Sequence, residues 1–352
     1  MTLAALLLAA PAGLLPQEVP AVGSPEALAA DASFRAWLEA AAATPAVPLH
    51  MEYQFSLDLQ AEGLEEDMDL SFKGKTVSDI RSLSVMRHQF EIGGMIPEEG
   101  QMELNGTLML DGSTFWLLAK SNNDEIIPER GFLARGDQQT LERVYSLYLE
   151  SIPALAAMAE GEMTGIGDAM KDVADWMPPS FGAYMHPSTY MLSGSRALTC
   201  RSFSRADGVV IADVGLNLEE GSAMAAVMGM VEAMAAQGGD PEAQTVLSNM
   251  RRMLEHHSVR VEFDEATGLP IGLDLTLDIN PRDFGVDEGG RMQMRFAFEA
   301  DVTRPEKLDD ALFAPPKSAA QAMDVTVFLQ MAEGQMRAML AEMDGADDDM
   351  AF

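Results

Sequence analysis

Five histidines, one cysteine and 27 methionines are the side chains here that could hold a soft metal or work as nucleophile and base. His256 and His257 end the second of two expected helices, the first of which, Gly221 to Gln237, carries Met224, Met228, Met230 and Met234, and thioether with imidazole is a donor set that suits Cu(I). Copper-binding tracts repeat Met-x-x-Met with flanking histidines, however, and no such array occurs. Two adjacent histidines at a helix end read instead as dipole contacts or solvated rings. His50, His88 and His186 stand isolated in sequence. Cys200 has no partner for an intramolecular disulfide, and its place between Leu198 and Ser202 in an alternating stretch marks a buried structural thiol rather than a nucleophile. No His-Glu-x-x-His, Cys-x-x-Cys, Gly-x-Ser-x-Gly or phosphate-loop pattern is present, and the glycine pairs at 93–94, 238–239 and 289–290 lack the strand-to-helix setting that cradles phosphate. Among 56 acids no pair stands out for proton transfer. The expectation is a non-enzyme without metal or cofactor; a hydrolase, needing Ser, His and an acid in one pocket, is the third reading.

What remains is chemistry by burial. An unbranched thioether repacks around irregular apolar shapes, so the methionines suit either a soft ligand lining or ordinary core filling. The net charge of -33, from 56 acids against 23 bases, excludes nucleic acid as a partner and disfavours docking on anionic headgroups. The acids are spread along the chain except at 344–349, which reads as part of a disordered acidic tail at 344–352. Met1 to Leu15 carries no charged side chain and resembles the apolar region of a signal peptide, with cleavage after Ala12, Ala21 or Ala29, although the basic flank is missing. About 15 residues are too few to span a bilayer. Export, to the periplasm or beyond, without a stable transmembrane anchor is the expectation, with 1–21 as the signal segment.

The elements that must position any site are clearest between 258 and 316. Val259, Val261 and Phe263 alternate with Arg260, Glu262 and Asp264, and Glu265 to Gly268 makes a turn. Ile271, Leu273, Leu275, Leu277 and Ile279 form one face of a second strand; Met292, Met294, Phe296, Phe298 and Val302 form that of a third, with Arg291, Gln293 and Arg295 opposite. Tyr53, Phe55, Leu57 and Leu59, then Met68, Leu70 and Phe72, repeat the pattern, and strands continue through 83–92, 102–110 and 114–120, the last two joined at Asp111-Gly112. Ser24-Pro25-Glu26 opens a helix bearing Phe34, Trp37 and Leu38. Helical insertions are expected at about 137–180, kinked at Pro153, and at 219–257; strands resume at 190–203 and 209–218, and a last helix occupies 317–343. One domain, 22–343, contains all of this.

Leu308 to Pro316, directly after the last long strand, resembles the closing motif of the periplasmic outer-membrane lipoprotein carrier (LolA/LolB-like) superfamily. Leu108 to Leu117 is similar to its mid-chain hairpin, and Asp264 to Leu275 to its turn-Gly-Leu-Pro hairpin. The resemblance implies an α+β fold, a curved antiparallel sheet of about ten strands forming a half-open β-barrel with helices on its concave face. It implies non-catalytic binding or transport of a lipid, acyl chain or lipoprotein in a hydrophobic groove. Tyr53, Phe55, Leu57, Leu70, Phe72, Trp116, Val261, Phe263, Leu273, Leu275, Leu277, Met294, Phe296 and Phe298, with Met224 and Met228 from the helical insertion, would line it. By periodicity alone these are core residues. A protein-interaction module or envelope-stress sensor with an envelope protein as partner is the alternative reading.

Overall fold

The computed structural model describes residues 20–43, 45–62, 68–96, 100–123, 127, 131–160, 177–188, 197–219, 222, 225, 228–229, 248, 251, 258–279 and 291–349. Two β-meanders dominate. The first comprises β1 (Leu49–Glu62), β2 (Met68–Ser82), β3 (Val85–Ile96), β4 (Gly100–Asp111), β5 (Thr114–Ser121) and β6 (Phe132–Asp137); the second comprises β7 (Leu198–Ala206), β8 (Val209–Leu216), β9 (Val259–Asp264), β10 (Pro270–Ile279) and β11 (Arg291–Thr303). They fuse where β1 pairs with β11, from His50 opposite Thr303 to Glu62 opposite Arg291. With β12 (Met323–Asp324) the sheet has twelve strands, in the order β12-β6-β5-β4-β3-β2-β1-β11-β10-β9-β8-β7. All pairings are antiparallel except β12 on β6. The sheet is open, its edges being β7 and β12, and the fold is α+β.

Local chemistry sets the corners. At the β4–β5 turn Asp111 accepts from the backbone N–H of Ser113 at 2.9 Å and of Thr114 at 2.7 Å, while Gly112 takes φ +93. The same device recurs at β9–β10, where Asp264 accepts from Thr267 N–H at 2.8 Å and Gly268 has φ +71.

Among the described residues, α1 (Pro25–Ala43), α2 (Gln138–Glu160), α3 (Phe181–Met185) and α4 (Thr326–Asp349) cover parts of the sheet. Ser24 caps α1 by accepting from Ala27 N–H at 3.2 Å. Its buried Phe34, Trp37 and Leu38 meet Cys200, Ala212, Val261 and Phe263 in one core. The rings of Phe34 and Trp37 stand 5.7 and 5.5 Å from that of Phe263, and Trp37 donates to the Glu265 carbonyl at 3.0 Å. Each such fully buried side chain contributes about 2 kcal/mol. At the other end Phe181 and Met185 of α3, Leu141 of α2 and Leu329 of α4 pack on a second core of Leu49, Ile80, Met86, Leu110 and Phe115. Arg143 of α2 pairs with Glu333 of α4 at 3.2 Å. The thiol of Cys200 is fully buried and donates to the Ser202 carbonyl at 3.0 Å; burial pushes its pKa up to about 12.

Several boundaries differ from the sequence expectation. Among the described residues the sheet has twelve strands rather than about ten, the additional two being β6, of six residues, and β12, of two. Helix α2 continues through Pro153. Part of the expected last helix, from 317 to 325, is spent on a 3-10 turn and β12, and α4 then carries the acidic residues from Asp344 to Asp349. The closing motif forms a 3-10 turn, Asp310–Phe313, capped by Asp309 and packed against β3 and β4, with the Arg81 guanidinium 4.5 Å from the Phe313 ring centroid. No helix among the described residues is long and apolar enough to cross a membrane.

Candidate functional site

Cross-strand partners share a face, so register decides which residues line one surface. Tyr53, Phe55 and Leu57 of β1 oppose Ala300, Phe298 and Phe296 of β11 on one side and Thr76, Gly74 and Phe72 of β2 on the other. Leu70 lies opposite Leu59, and Leu273, Leu275 and Leu277 oppose Phe298, Phe296 and Met294. All but two of the expected lining positions on strands and helices therefore join a single apolar face. Met224 lies outside the described residues, as do Met230, Met234, His256 and His257 of the copper reading.

Trp116 is the other exception and a correction. It pairs with Met109, not with Leu110, and the same row runs through Arg87, Asp79 and His50. It therefore faces away from Phe55. It is buried on the opposite side, its indole N–H donating to Asp111 at 3.3 Å. Two-residue periodicity was right for β5, but the odd-numbered Phe115 and Leu117 share the apolar face.

Burial divides that face in two. Val261, Phe263, Leu273, Leu275, Met294 and Phe296 are buried with α1 and Met228 in the first core. Tyr53, Phe55, Leu57, Leu70, Phe72 and Phe298, together with Phe90, Ile92 and Leu104 on β3 and β4, are only half-buried. This strip has a feature that alternation does not reveal. Phe55 opposes Gly74, Phe72 opposes Gly94, Phe90 opposes Gly106 and, beyond the strip in the second core, Phe115 opposes Gly136. A Cβ on those glycines would stand 2.2, 2.3, 2.3 and 2.4 Å from the partner ring. Each phenylalanine thus lies down across the backbone of the next strand, filling the glycine's space, and the strip is a shallow aromatic-floored trough rather than a wall of upright rings.

A hollow of about 1010 Å³ lies on the opposite, polar face of β11 and β1 to β4. Gln54, Ser56, Lys73, Lys75, Glu91, Gln101, Glu103, Asn105 and Glu299 line it, together with Phe55, Ile92, Met95, Leu104 and Phe298. Gly93 deepens its floor, since nothing stands nearer than 3.9 Å to where its Cβ would be. Lys75 pairs with Glu52 at 2.9 Å, a contact that lowers the Glu52 pKa. Two ammonium groups among three glutamates make the lining mixed in sign, without a preference for one ligand charge. Arg260 and Arg295 are exposed on this face, as their parity requires.

Between the strip and the second core runs a row of polar groups. Ser78, buried, shares a 2.9 Å hydrogen bond with Nδ1 of the partly buried His88, whose Nε2 lies 3.3 Å from the Met86 sulfur. His186, fully buried just after α3, lies close enough to His88 for their charges to couple. Asp79, also buried, points to the other face and meets His50 Nδ1 at 2.8 Å. A serine and a histidine do converge here, but a thioether stands where an orienting carboxylate would be needed and the serine is closed to solvent, so the row does not assemble a hydrolytic triad. His50, His88 and His186 are far apart in sequence, and no motif could have joined them. No cluster of three or more His, Cys, Asp or Glu side chains suited to a metal occurs among the described residues.

No family model matches the chain, and no curated protein matches it. Among solved structures, one similar chain is a DUF1329 family protein from Desulfovibrio piger, at 8% identity and a TM-score of 0.24, covering 81% of this chain and 97% of that one. A superposition at that score leaves the reading of this chain to its own geometry.

Proposed function

We propose that this chain is a non-catalytic binder of an elongated apolar ligand, the acyl chain of a lipid or lipoprotein, held along the half-buried strip of β1 to β4. One observation carries the reading: a single face of one sheet is fully closed under α1 but only half-buried over Phe55, Leu57, Phe72, Phe90, Ile92 and Leu104. Alkyl surface laid on these side chains would leave water, at about 0.8 kcal/mol per methylene buried. The Phe–Gly pairs suit a flexible chain, because flattened rings offer continuous contact without a fixed pocket shape. Export belongs to the same proposal, on the apolar character of Met1 to Leu15.

The test is native mass spectrometry of protein expressed in a Gram-negative periplasm, followed by uptake of a fluorescent fatty acid. Adducts of lipid mass that vanish on delipidation are expected, as is at least a tenfold loss of fatty-acid affinity in Ile92→Glu with its circular dichroism unchanged. A clean apo mass without uptake would sink the proposal. A second reading, a protein-interaction module, is supported by α4, which exposes Val327, Phe328 and Met331 at 62, 63 and 57% while its other side meets α2.

A further inference from the structure

We infer that His186 is an acid-sensitive latch holding α3 over one end of the sheet, and that its protonation releases this cover. His186 follows α3 directly. Its Nε2 lies 3.4 Å from the Ala46 carbonyl, and its Nδ1 accepts from the backbone N–H of Ser188 at 3.3 Å. Both contacts are met only by the neutral ring with its proton on Nε2. A hydroxyl could rotate to accept from a second proton, but a backbone N–H cannot, so a proton arriving on Nδ1 faces a donor and breaks the contact. Ser188 in turn donates from its hydroxyl to the Thr267 carbonyl at 3.0 Å, so the same segment loses its tie to the β9–β10 turn.

The surroundings offer the extra charge little relief. His88 of β3 couples to His186 and offers no negative charge to offset the added proton. Asp79 of β2 favours charge on His88 but faces away, held by His50 of β1. Glu142 of α2 is spent on the N–H groups of Phe181 and Gly182, at 2.8 and 3.1 Å; Tyr145 of α2 and Tyr184 of α3 contribute phenols. Burial holds His186 below the ordinary 6.5, and burial with His186 brings His88 down to about 4. The sign follows: the closed state binds fewer protons than the open one, so its stabilisation is complete above 6.5 and declines as pH falls below it.

Release would matter because of where α3 sits. Phe181 and Met185 cover the core of Met86, Leu110 and Phe115, and the row of Ser78, His88 and Leu108 adjoins the row of Thr76, Phe90 and Gly106 that begins the half-buried strip. Opening α3 extends the exposed apolar surface without touching α1, which contains no histidine. The latch rests on hydrogen-bond geometry and is independent of what the strip binds.

Hydrogen exchange followed by mass spectrometry, corrected for intrinsic rate, tests it between about pH 7.5 and 4.5. Peptides covering 177–188 should lose at least tenfold protection across that range while α1, β8 and β9 keep theirs, and His186→Asn, which preserves an acceptor and a donor but cannot charge, should stay protected. Full protection of 177–188 at the acid end, simultaneous loss in α1, or the same loss in the variant would overturn it. Should the variant not fold, nitrogen-15 histidine spectra of the native chain decide: His186 charging together with opening supports the latch, and a ring still neutral once 177–188 has opened refutes it.

Discussion

The two halves of the apolar face are built from similar side chains and end in different states. Over β7 to β10, Val210, Ala212, Val214, Val259, Val261 and Phe263 lie beneath the aromatic ridge of α1 and are excluded from water. Over β1 to β4, phenylalanines and leucines of equal hydrophobicity stay half-buried, their rings turned down onto glycines of the adjacent strands. The difference teaches that apolar alternation specifies a face and not its cover. A ridge of Phe34, Trp37 and Leu38 closes one half into core, whereas cross-strand glycines let the other half be shallow, with the rings of Phe55, Phe72 and Phe90 sheltering backbone.

Removing a ring from each half is the harshest way to break this comparison. Phe263→Ala, in the closed half, should cost about 3–5 kcal/mol, since a buried ring leaves a cavity that α1 cannot fill. Phe90→Ala, in the strip, should cost well under half of that, and denaturant titration of both variants measures the ratio. Equal losses would mean that the halves are not energetically distinct.

A smaller effect sharpens the pairing of phenylalanine with glycine. Gly106→Ala places a Cβ 2.3 Å from the Phe90 ring and 2.7 Å from the Leu118 carbonyl, so a destabilisation of about 1–3 kcal/mol is expected. Combining it with Phe90→Leu should recover part of that loss, because the ring no longer occupies the space. Strictly additive losses in the double variant would show that ring and glycine do not share one site.

The smallest effect concerns how α1 is aimed. Trp37→Phe keeps the aromatic contact with Phe263 but leaves the Glu265 carbonyl without its 3.0 Å donor, a loss of about 1 kcal/mol in thermal unfolding. No measurable change would place the orientation of α1 in its apolar packing alone.

Much of the architecture was legible beforehand for identifiable reasons. Two-residue alternation located ten of the strands, since a sheet with one wet face imprints its period on the chain. Turn chemistry at Asp111-Gly112 and at Glu265 to Gly268 located corners, and the capped helix with Phe34 and Trp37 announced its cover. The candidate site was less legible. Leu57, Phe72 and Phe298 share one half-buried face, as their alternation implied, but Val261 and Phe263, of the same pattern, are core. Trp116 was misplaced because alternation within β5 does not say which parity meets its neighbours, and only pairing with Met109 decides it.

By itself the sequence determined the period of each strand, the turns that need φ > 0, the solitary buried thiol and a strongly acidic net charge. These are properties of neighbours along the chain, or sums over it. Only the tertiary structure decided that phenylalanines meet glycines strand by strand, that the large hollow opens on the polar face, and that His186 approaches His88 beneath α3. The physical reason is the same in each case. Register and cover are set by the combined burial of residues tens to hundreds of positions apart, and no local pattern encodes which of them will meet.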